Sequence, residues 1–308
     1  MTALHVAIVI VGFRNLPDIQ RCLGALEAST YRDFEILICE NGGDQAFSEL
    51  VHALPSALPG GQPIRAVKAP GNVGYAGGVN IGMKETATAG AWWILNPDTL
   101  PDPDALAALS ERLGKGDCQA VGGIQYYGDG RVQSDGGTWR PWFARAVSIG
   151  HGRKLSDPID PDAIESSINY ITGASMLVSR AFLQATGPMR EDYFLYCEEV
   201  EWCLRARAKG MAFGFAPEAR VLHNQGASTG SGQSVRTRPR LPIYLDERNK
   251  MLVTRDCFAG RLPIAAVAAL GLLALRFLRR GAWKQFGYGL AGWRDGLANR
   301  RGVPDWIG

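Results

Sequence analysis

Residues 5–43 read HVAIVIVGFRNLPDIQRCLGALEASTYRDFEILICENGG. Residues 5–11 form an unbroken apolar run rich in β-branched side chains. That pattern predicts a strand buried on both faces, as in a parallel sheet. Residues 16–28 then place Ile19, Cys22, Leu23 and Leu26 on one helical face, and Pro17 fits a helix start. Residues 34–39 repeat the apolar strand pattern and end in the polar turn Glu40-Asn41-Gly42-Gly43. The alternation continues with a helix near 46–53, a strand near 64–68, a helix over 80–88 and a strand over 92–95. Strands alternating with helices at this spacing predict an α/β fold with a doubly wound, mostly parallel sheet. In such sheets ligands bind beyond the carboxyl ends of the strands. The turns 12–15, 40–44, 71–80 and 96–102 are therefore where chemistry is expected.

The pattern weakens over 117–162, where strand-like pieces at 120–127 and 132–138 predict a small antiparallel addition. A strand over 171–179, a short helix over 181–185 and a helix over 198–209 follow, the last ended by Gly210. Strands over 211–215 and 220–223 close the sheet. Residues 226–234 are rich in Gly and Ser, the composition of a mobile loop. Beyond Ser234 the sequence turns helical and basic. The expected organisation is a nucleotide-binding domain over 1–234 and a C-terminal helical region over 235–308.

The bulk numbers bound the function. The 308 residues are 46% hydrophobic and 20% charged with a net charge of +3, so a large core is available. The positive excess is too small to predict nucleic-acid binding. Six cysteines include no CxxC pair, which argues against a zinc knuckle and fits free thiols in a reducing compartment. The N-terminus has no basic start or cleavage site and reads as a strand, not a signal peptide. Residues 262–275 are apolar, but shorter than the roughly 20 residues of a membrane span. Arg276, Arg279 and Arg280 close them. No transmembrane helix is expected, and a helix lying on a membrane surface stays open.

Four features carry chemistry. WWILNPDTLPDPDAL (92–106) puts Asn96 and Asp98 just past a strand, where a carboxylate suits a hard divalent cation that holds a diphosphate. An Asn-Pro-Asp turn would explain it equally well. FLYCEEVEWCLRARAKG (194–210) puts Glu198, Glu199 and Glu201 at a helix start. Acids belong there for the helix dipole, and Glu201 can pair with Arg205. Adjacent carboxylates also repel, which raises a pKa toward that of a useful base. His223 follows a strand and is a metal ligand or a structural histidine. GNVGYAGGVNIG (71–82) is a Gly-rich segment before a helix, suited to phosphate or to a plain turn.

In this order, with ITGASMLV (171–178) and VLHNQGAS (221–228), these segments resemble the family 2 glycosyltransferases of GT-A fold. They especially resemble the rhamnosyltransferase-like and galactofuranosyltransferase-like branch. The resemblance spans about residues 5–230, with an echo in YLDERNKMLVTRD (244–256). It implies inverting sugar transfer from a nucleotide diphosphate sugar, assisted by Mg²⁺ or Mn²⁺. Asp98 matches the last aspartate of the metal-binding motif and His223 a histidine that completes the metal site. Glu199 matches the catalytic base, with Glu198 beside it, and Glu201 a further acid of that helix. Glu40 matches the acid that helps hold the nucleobase. Asn72, Gly74, Gly77 and Asn80 match the Gly/Asn loop near the nucleotide, and Asn96 replaces the usual first aspartate. Arg190 stands where an acid is usual, and Glu replaces the commoner Asp at 40, 199 and 201.

On the resemblance, the favoured donor is dTDP-rhamnose, with galactofuranosyl or other hexosyl transfer as the alternative. The acceptor is a glycan or lipid-linked glycan, as in cell-wall and other surface polysaccharide biosynthesis. The location is cytoplasmic, with peripheral contact at the inner membrane face through the C-terminal helices. A homo-oligomer is left open. A nucleotidyltransferase would carry a basic Gly-rich signature near the N-terminus, where this chain reads VGFRNLPDIQ (11–20). An oxidoreductase would need a GxGxxG turn, which Gly12 alone does not supply. A non-catalytic sugar-nucleotide-binding module would not need Asp98, Glu199 and His223 together. The reading requires those three to converge on one pocket.

Overall fold

A computed structural model describes residues 4–223 and 233–307. Most of the Gly/Ser-rich loop expected over 226–234 therefore lies outside the described residues. The first half is the expected alternation: β1 (Val6–Gly12), α1 (Leu16–Glu27), β2 (Phe34–Glu40), α2 (Asp44–Ala53), β3 (Ile64–Lys68), α3 (Gly74–Glu85) and β4 (Ala91–Leu95). Next come β5 (Thr99–Pro101), α4 (Ala105–Gly114), β6 (Ala120–Tyr126) and β7 (Val132–Ser134). A separate hairpin, β8 (Gly137–Arg140) and β9 (Arg145–Ser148), precedes α5 (Pro161–Ser167). Then come β10 (Ser175–Ser179), α6 (Arg180–Thr186), α7 (Glu198–Ala208) and β11 (Phe213–His223). Three helices follow: α8 (Arg240–Phe258), α9 (Leu262–Phe277) and α10 (Trp283–Leu297).

The main sheet has nine strands in the order β3-β2-β1-β4-β10-β6-β11-β5, with β7 on β6. Strands β1, β2, β3, β4, β6 and β11 run one way, and β10 is inserted antiparallel between β4 and β6. The sheet is mostly parallel and wound on both faces. Alternate residues of β1 show why: Val6, Ile8 and Ile10 enter a core with α1 and α4, while Ala7, Val9 and Val11 enter one with α3, α7 and α8. The order reverses at β1–β4, which sets the crevice beyond Gly12 and Leu95.

Several elements differ from their sequence reading. The segment 71–82 reads as a loop before a helix at Asn80, but α3 already begins at Gly74. Its glycines serve close packing: a Cβ on Gly78 or Gly82 would fall 2.6 Å from Val11 Cγ1 or 2.3 Å from Val9 Cγ1. The strand expected over 171–179 begins only at Ser175, and Gly173 before it packs close to Tyr75 and Glu199. Strands expected over 211–215 and 220–223 are one strand with an irregularity between Ala216 and Arg220. The C-terminal helices share the sheet's core: Met251, Leu252 and Val253 of α8 and Ala265, Ala266 and Ala269 of α9 pack in one cluster with Val9 and Trp92. The helical run Arg240–Arg280 contains an 18-residue window of mean hydropathy 1.9, only 22% buried. By length and composition alone that run is apolar enough to cross a membrane, while α9 itself spans 16 residues and packs Ala265, Ala266, Ala269, Leu273 and Phe277 inward.

Candidate active site

Asp98 lies just before β5, and His223 ends β11, where it pairs in register with Thr99. The antiparallel pairing brings together two residues 125 positions apart. His223 Nε2 stands 3.4 Å from Asp98 Oδ1. On the other ring nitrogen, Nδ1–H donates to Gln133 Oε1 at 2.6 Å. That bond fixes the ring and aims the Nε2 lone pair at the carboxylate. Two acceptors facing each other need a proton or a cation between them. Asn96 Oδ1 is also buried without a hydrogen-bond partner. Among the described residues no three His, Cys, Asp or Glu side chains cluster as a complete metal site. Asp98 and His223 could offer a divalent cation two ligands, with donor phosphates and water completing its shell. An imidazole ligand held by an amide is a common outer-shell device.

Helix α7 presents the acids. Phe194, Tyr196 and Cys197 precede it with φ of 68°, 72° and 66°. Left-handed backbone at bulky residues costs roughly 1–3 kcal/mol each and persists only where surroundings enforce it. Here α8 enforces it. Asn249, fully buried, donates to the carbonyls of Tyr193, Leu195 and Tyr196 at 3.0, 2.8 and 2.7 Å. Arg248 Nη2 donates to the Tyr193 carbonyl at 2.8 Å. The turn therefore delivers Glu198 and Glu199 to a set position.

The two acids differ. Glu198 is buried with Oε2 unpartnered, and desolvation followed by the neighbouring Glu199 charge pushes its pKa well up. Glu199 is half-buried, and desolvation pushes it up to about 7. Backbone N–H groups of Glu199, Val200 and Cys197 limit that rise, while the charge of Asp246 on α8 adds to it. A carboxyl titrating near neutrality is matched to general-base work. Glu201 faces elsewhere in function: Arg205 Nε holds it at 2.8 Å, the ion pair its spacing allows.

Tyr75 links the two halves. Burial, then the charges of Glu198, Glu199 and Asp98, push its phenol well up. This partly buried side chain feels all three acids, and its hydroxyl donates to the Gly173 carbonyl at 2.6 Å. A Cβ on Gly173 would stand 3.4 Å from the Tyr75 ring and 3.5 Å from Glu199 Cβ. Asp98 and Glu199 thus both lie near enough to Tyr75 for their charges to act on its phenol.

The remaining predicted residues make contacts within the fold. Asn72 Oδ1 accepts from Gly74 N–H at 3.2 Å, and Asn41 Nδ2 donates to the Gly74 carbonyl at 2.9 Å. Gly74 has φ of 73°, and a Cβ there would lie 2.1 Å from the Phe194 carbonyl oxygen. Only glycine lets α3 dock on the turn before α7, where Tyr75 N–H donates to Phe194 O at 2.8 Å. A Cβ on Gly77 would meet Val73 at 2.7 Å. Asn80 exchanges hydrogen bonds with the Met189 backbone at 2.9 and 3.0 Å and donates to Glu191. It ties α3 to the segment leading into α7. Glu40 is buried, and Oε1 accepts from Gly42 N–H at 2.7 Å and Arg14 N–H at 3.1 Å, which joins the ends of β1 and β2. The sequence reading missed Gln133, Tyr75, Asn249 and Asp246. Tyr75 fell within the quoted 71–82 segment and Asn249 and Asp246 within 244–256, without being singled out.

The family model described as glycosyltransferase like family 2 matches residues 3–241. The chain belongs to that family. The hexosyltransferase Agl10 of low-salt glycan biosynthesis in Haloferax volcanii is 21% identical over 97% of this chain and 93% of its own length. The N-acetylglucosaminyl-diphospho-decaprenol L-rhamnosyltransferase of Mycobacterium tuberculosis is 25% identical over 72% of this chain and 77% of its own. Among solved structures, the mannosyltransferase PcManGT of Pyrobaculum calidifontis, in complex with GDP-Man and Mn²⁺, has a TM-score of 0.58. It is 15% identical and the match covers 97% of this chain and 89% of that one. GalNAc-T7 with UDP, GalNAc and Mn²⁺ has a TM-score of 0.60 at 15% identity, covering 80% of this chain and 48% of that one. The fold of this glycosyltransferase is GT-A.

Proposed function

We propose that this glycosyltransferase inverts the anomeric carbon of a hexosyl or 6-deoxyhexosyl group as it moves the sugar from a nucleotide diphosphate to a hydroxyl of a glycan or lipid-linked glycan. The observation that supports the reading is the Asp98–His223 pair at 3.4 Å, with Glu199 close enough that its charge and that of Asp98 both act on Tyr75. A divalent cation, Mg²⁺ or Mn²⁺, held by Asp98 and His223 would neutralise charge on the departing diphosphate. Gln133 keeps the His223 ring in its ligating orientation. Glu199 accepts the acceptor hydroxyl proton at its carboxylate as the oxygen attacks the anomeric carbon from the face opposite the diphosphate. Glu198, whose pKa burial pushes well up, stands beside the base. Asn72, Gly74 and Gly77 shape the nucleotide side, Glu40 the nucleobase end and Asn96 the diphosphate side. The dTDP-rhamnose donor is favoured by the similarity to the rhamnosyltransferase, and the similarity to Agl10 supports a broader hexosyl donor. The organisation as a catalytic domain over 1–234 with a helical extension, and a cytoplasmic, membrane-peripheral location, belong to the same reading.

The test is a panel of nucleotide sugars with Mg²⁺ or Mn²⁺, following nucleoside diphosphate release. Metal-dependent release from one donor, abolished in Asp98→Ala, is expected. No release from any donor with either metal overturns the assignment.

A further inference from the structure

Arg190, which stands where an acid is usual, belongs to a four-membered charge network. Its guanidinium donates to both oxygens of Asp192 at 3.1 and 2.6 Å and to Asp256 Oδ2 on α8 at 2.8 Å. Arg301, which follows α10, reaches the same two acids. It donates to the two oxygens of Asp256 at 2.7 and 3.0 Å and to Asp192 at 3.2 Å. The Tyr193 hydroxyl adds a bond to Asp256 Oδ2 at 2.8 Å. Two arginines thus balance two aspartates, and the Arg301 and Asp256 side chains are only 18% and 13% exposed. Burial opposes the Asp256 charge, yet the hydrogen bonds from Arg301 and Tyr193 hold its carboxyl below the usual range. An arginine fork on a carboxylate fixes geometry as well as charge. The acid usual at 190 would instead set three carboxylates against one guanidinium.

A second set of bonds runs from the same segment to the turn before α7. Gly302 N–H donates to the Asp192 carbonyl at 2.6 Å, and the Gly302 carbonyl accepts from Arg248 Nη1 at 2.7 Å. Arg248 Nη2 holds the Tyr193 carbonyl, and its Nε donates to Asn249 Oδ1 at 2.9 Å. Asn249 in turn holds the carbonyls of Tyr193, Leu195 and Tyr196. An unbroken chain of hydrogen bonds therefore joins Gly302 to the left-handed residues that set Glu198 and Glu199.

Local sequence delivers the segment to this place. Gly292 and Gly296 let α10 lie against α8, since a Cβ would fall 2.1 Å from the Tyr244 carbonyl oxygen or 2.4 Å from that of Arg248. Asn299, with φ of 57°, then ends α10. Arg300 N–H donates to the Asp295 carbonyl at 2.9 Å and Asn299 N–H to that of Gly296 at 3.1 Å, which closes the helix in the Schellman manner. Asn299 Oδ1 accepts from Arg301 Nε at 2.9 Å and leaves the two Nη groups for Asp256 and Asp192. The neighbouring Arg300 takes no part: it is 69% exposed and lies 3.4 Å from Asp295.

We infer that residues 299–302 latch the turn that presents Glu199, with Arg301 and Arg190 as positioning residues for transfer: they fix Asp256, Asp192 and the Tyr193 backbone, and through them the start of α7. The inference rests on the proposed role of Glu199 as base. It adds a contribution from Arg301, which lies beyond the family match at residues 3–241.

The test compares full-length Arg301→Ala, Arg301→Lys and Arg300→Ala with wild type, at a temperature where melts show each one folded. Hydrogen exchange is read over residues 190–201, where the N–H groups of Phe194, Leu195 and Glu201 are bonded at 3.0, 2.9 and 3.0 Å. Arg301→Ala should speed exchange there about tenfold or more, because a charge-assisted fork is lost. Its kcat should fall about tenfold or more, while calorimetric affinity for dTDP and UDP with Mn²⁺ stays within about twofold of wild type. Arg301→Lys keeps the charge without the fork and should recover part of both losses. Arg300→Ala should match wild type in both. Should the Ala variant not fold, the Lys variant carries the same measurements, with smaller shifts in the same direction. Faster exchange confined to 295–307, an unchanged kcat, or equal loss of kcat and nucleotide affinity overturns the inference. Exchange needs no turnover. Wild type that releases no nucleoside diphosphate from any donor therefore fails the transferase reading, and the exchange data still decide whether the latch holds the turn.

Discussion

Glu199→Gln separates catalysis from stability in one residue. The folded protein holds the Glu199 carboxyl at about 7, above its ordinary 4.5. A raised acid makes the folded state bind the proton more tightly than the unfolded chain does. Between those two values stability therefore falls as pH rises, and above about 7 the full penalty is present. The 2.5-unit separation corresponds to roughly 3 kcal/mol at pH 8, about 1 kcal/mol at pH 5.5, and close to none at pH 4. Gln cannot ionise, so the variant should be more stable than wild type by about 2–3 kcal/mol at pH 8, and the gain should shrink on acidification. In a protein of this size that is a melting shift of several degrees, about 2–4 °C per kcal/mol. The same substitution removes the base, so transfer should fall roughly 10²–10⁴-fold while donor binding stays near wild type. Melting curves and denaturant titrations at pH 5.5 and 8, with steady-state transfer assays, measure both. A stability change of the same size at both pH values would mean that packing, not ionisation, separates the two side chains. Retained turnover would remove Glu199 from the chemistry.

Wild-type kcat/KM should drop about tenfold per pH unit on the acid side of about pH 7, where Glu199 takes up its proton, and Glu199→Gln should lack that limb. Gln133→Leu leaves the His223 ring without its partner at 2.6 Å. The metal concentration for half-maximal activity should rise about 10–100-fold, read by metal titration, with little change in melting. Gly74→Ala forces a Cβ against the Phe194 carbonyl. It should cost about 1–3 kcal/mol in stability and a larger share of kcat than of donor affinity, measured by melts and kinetics. Asn249→Ala removes three donated hydrogen bonds from the turn before α7. About 2–4 kcal/mol of stability and most activity should be lost, while activity intact in a stable variant would show that α8 does not hold the turn.

The sequence by itself determined the first α/β half, because its signals are local. A continuous run such as 5–11 is a buried strand wherever it folds, and the Ile19, Cys22, Leu23 and Leu26 stripe is a helix face. It also named Asp98, Glu199 and His223, although only as similar to a family's pattern. The tertiary structure decided what depends on distant partners. Strand β5 is too short to read from three residues and exists because β11 pairs with it, and that pairing is what seats His223 beside Asp98. The Gly74–Gly82 stretch reads as a loop because glycine disfavours helices in isolation. Close approach to Val9, Val11 and the Phe194 carbonyl makes it a helix. Gln133, Tyr75 and Asn249 carry no motif of their own. Each acquires its role from a contact made across the core, where burial in a low-dielectric interior sets both geometry and charge.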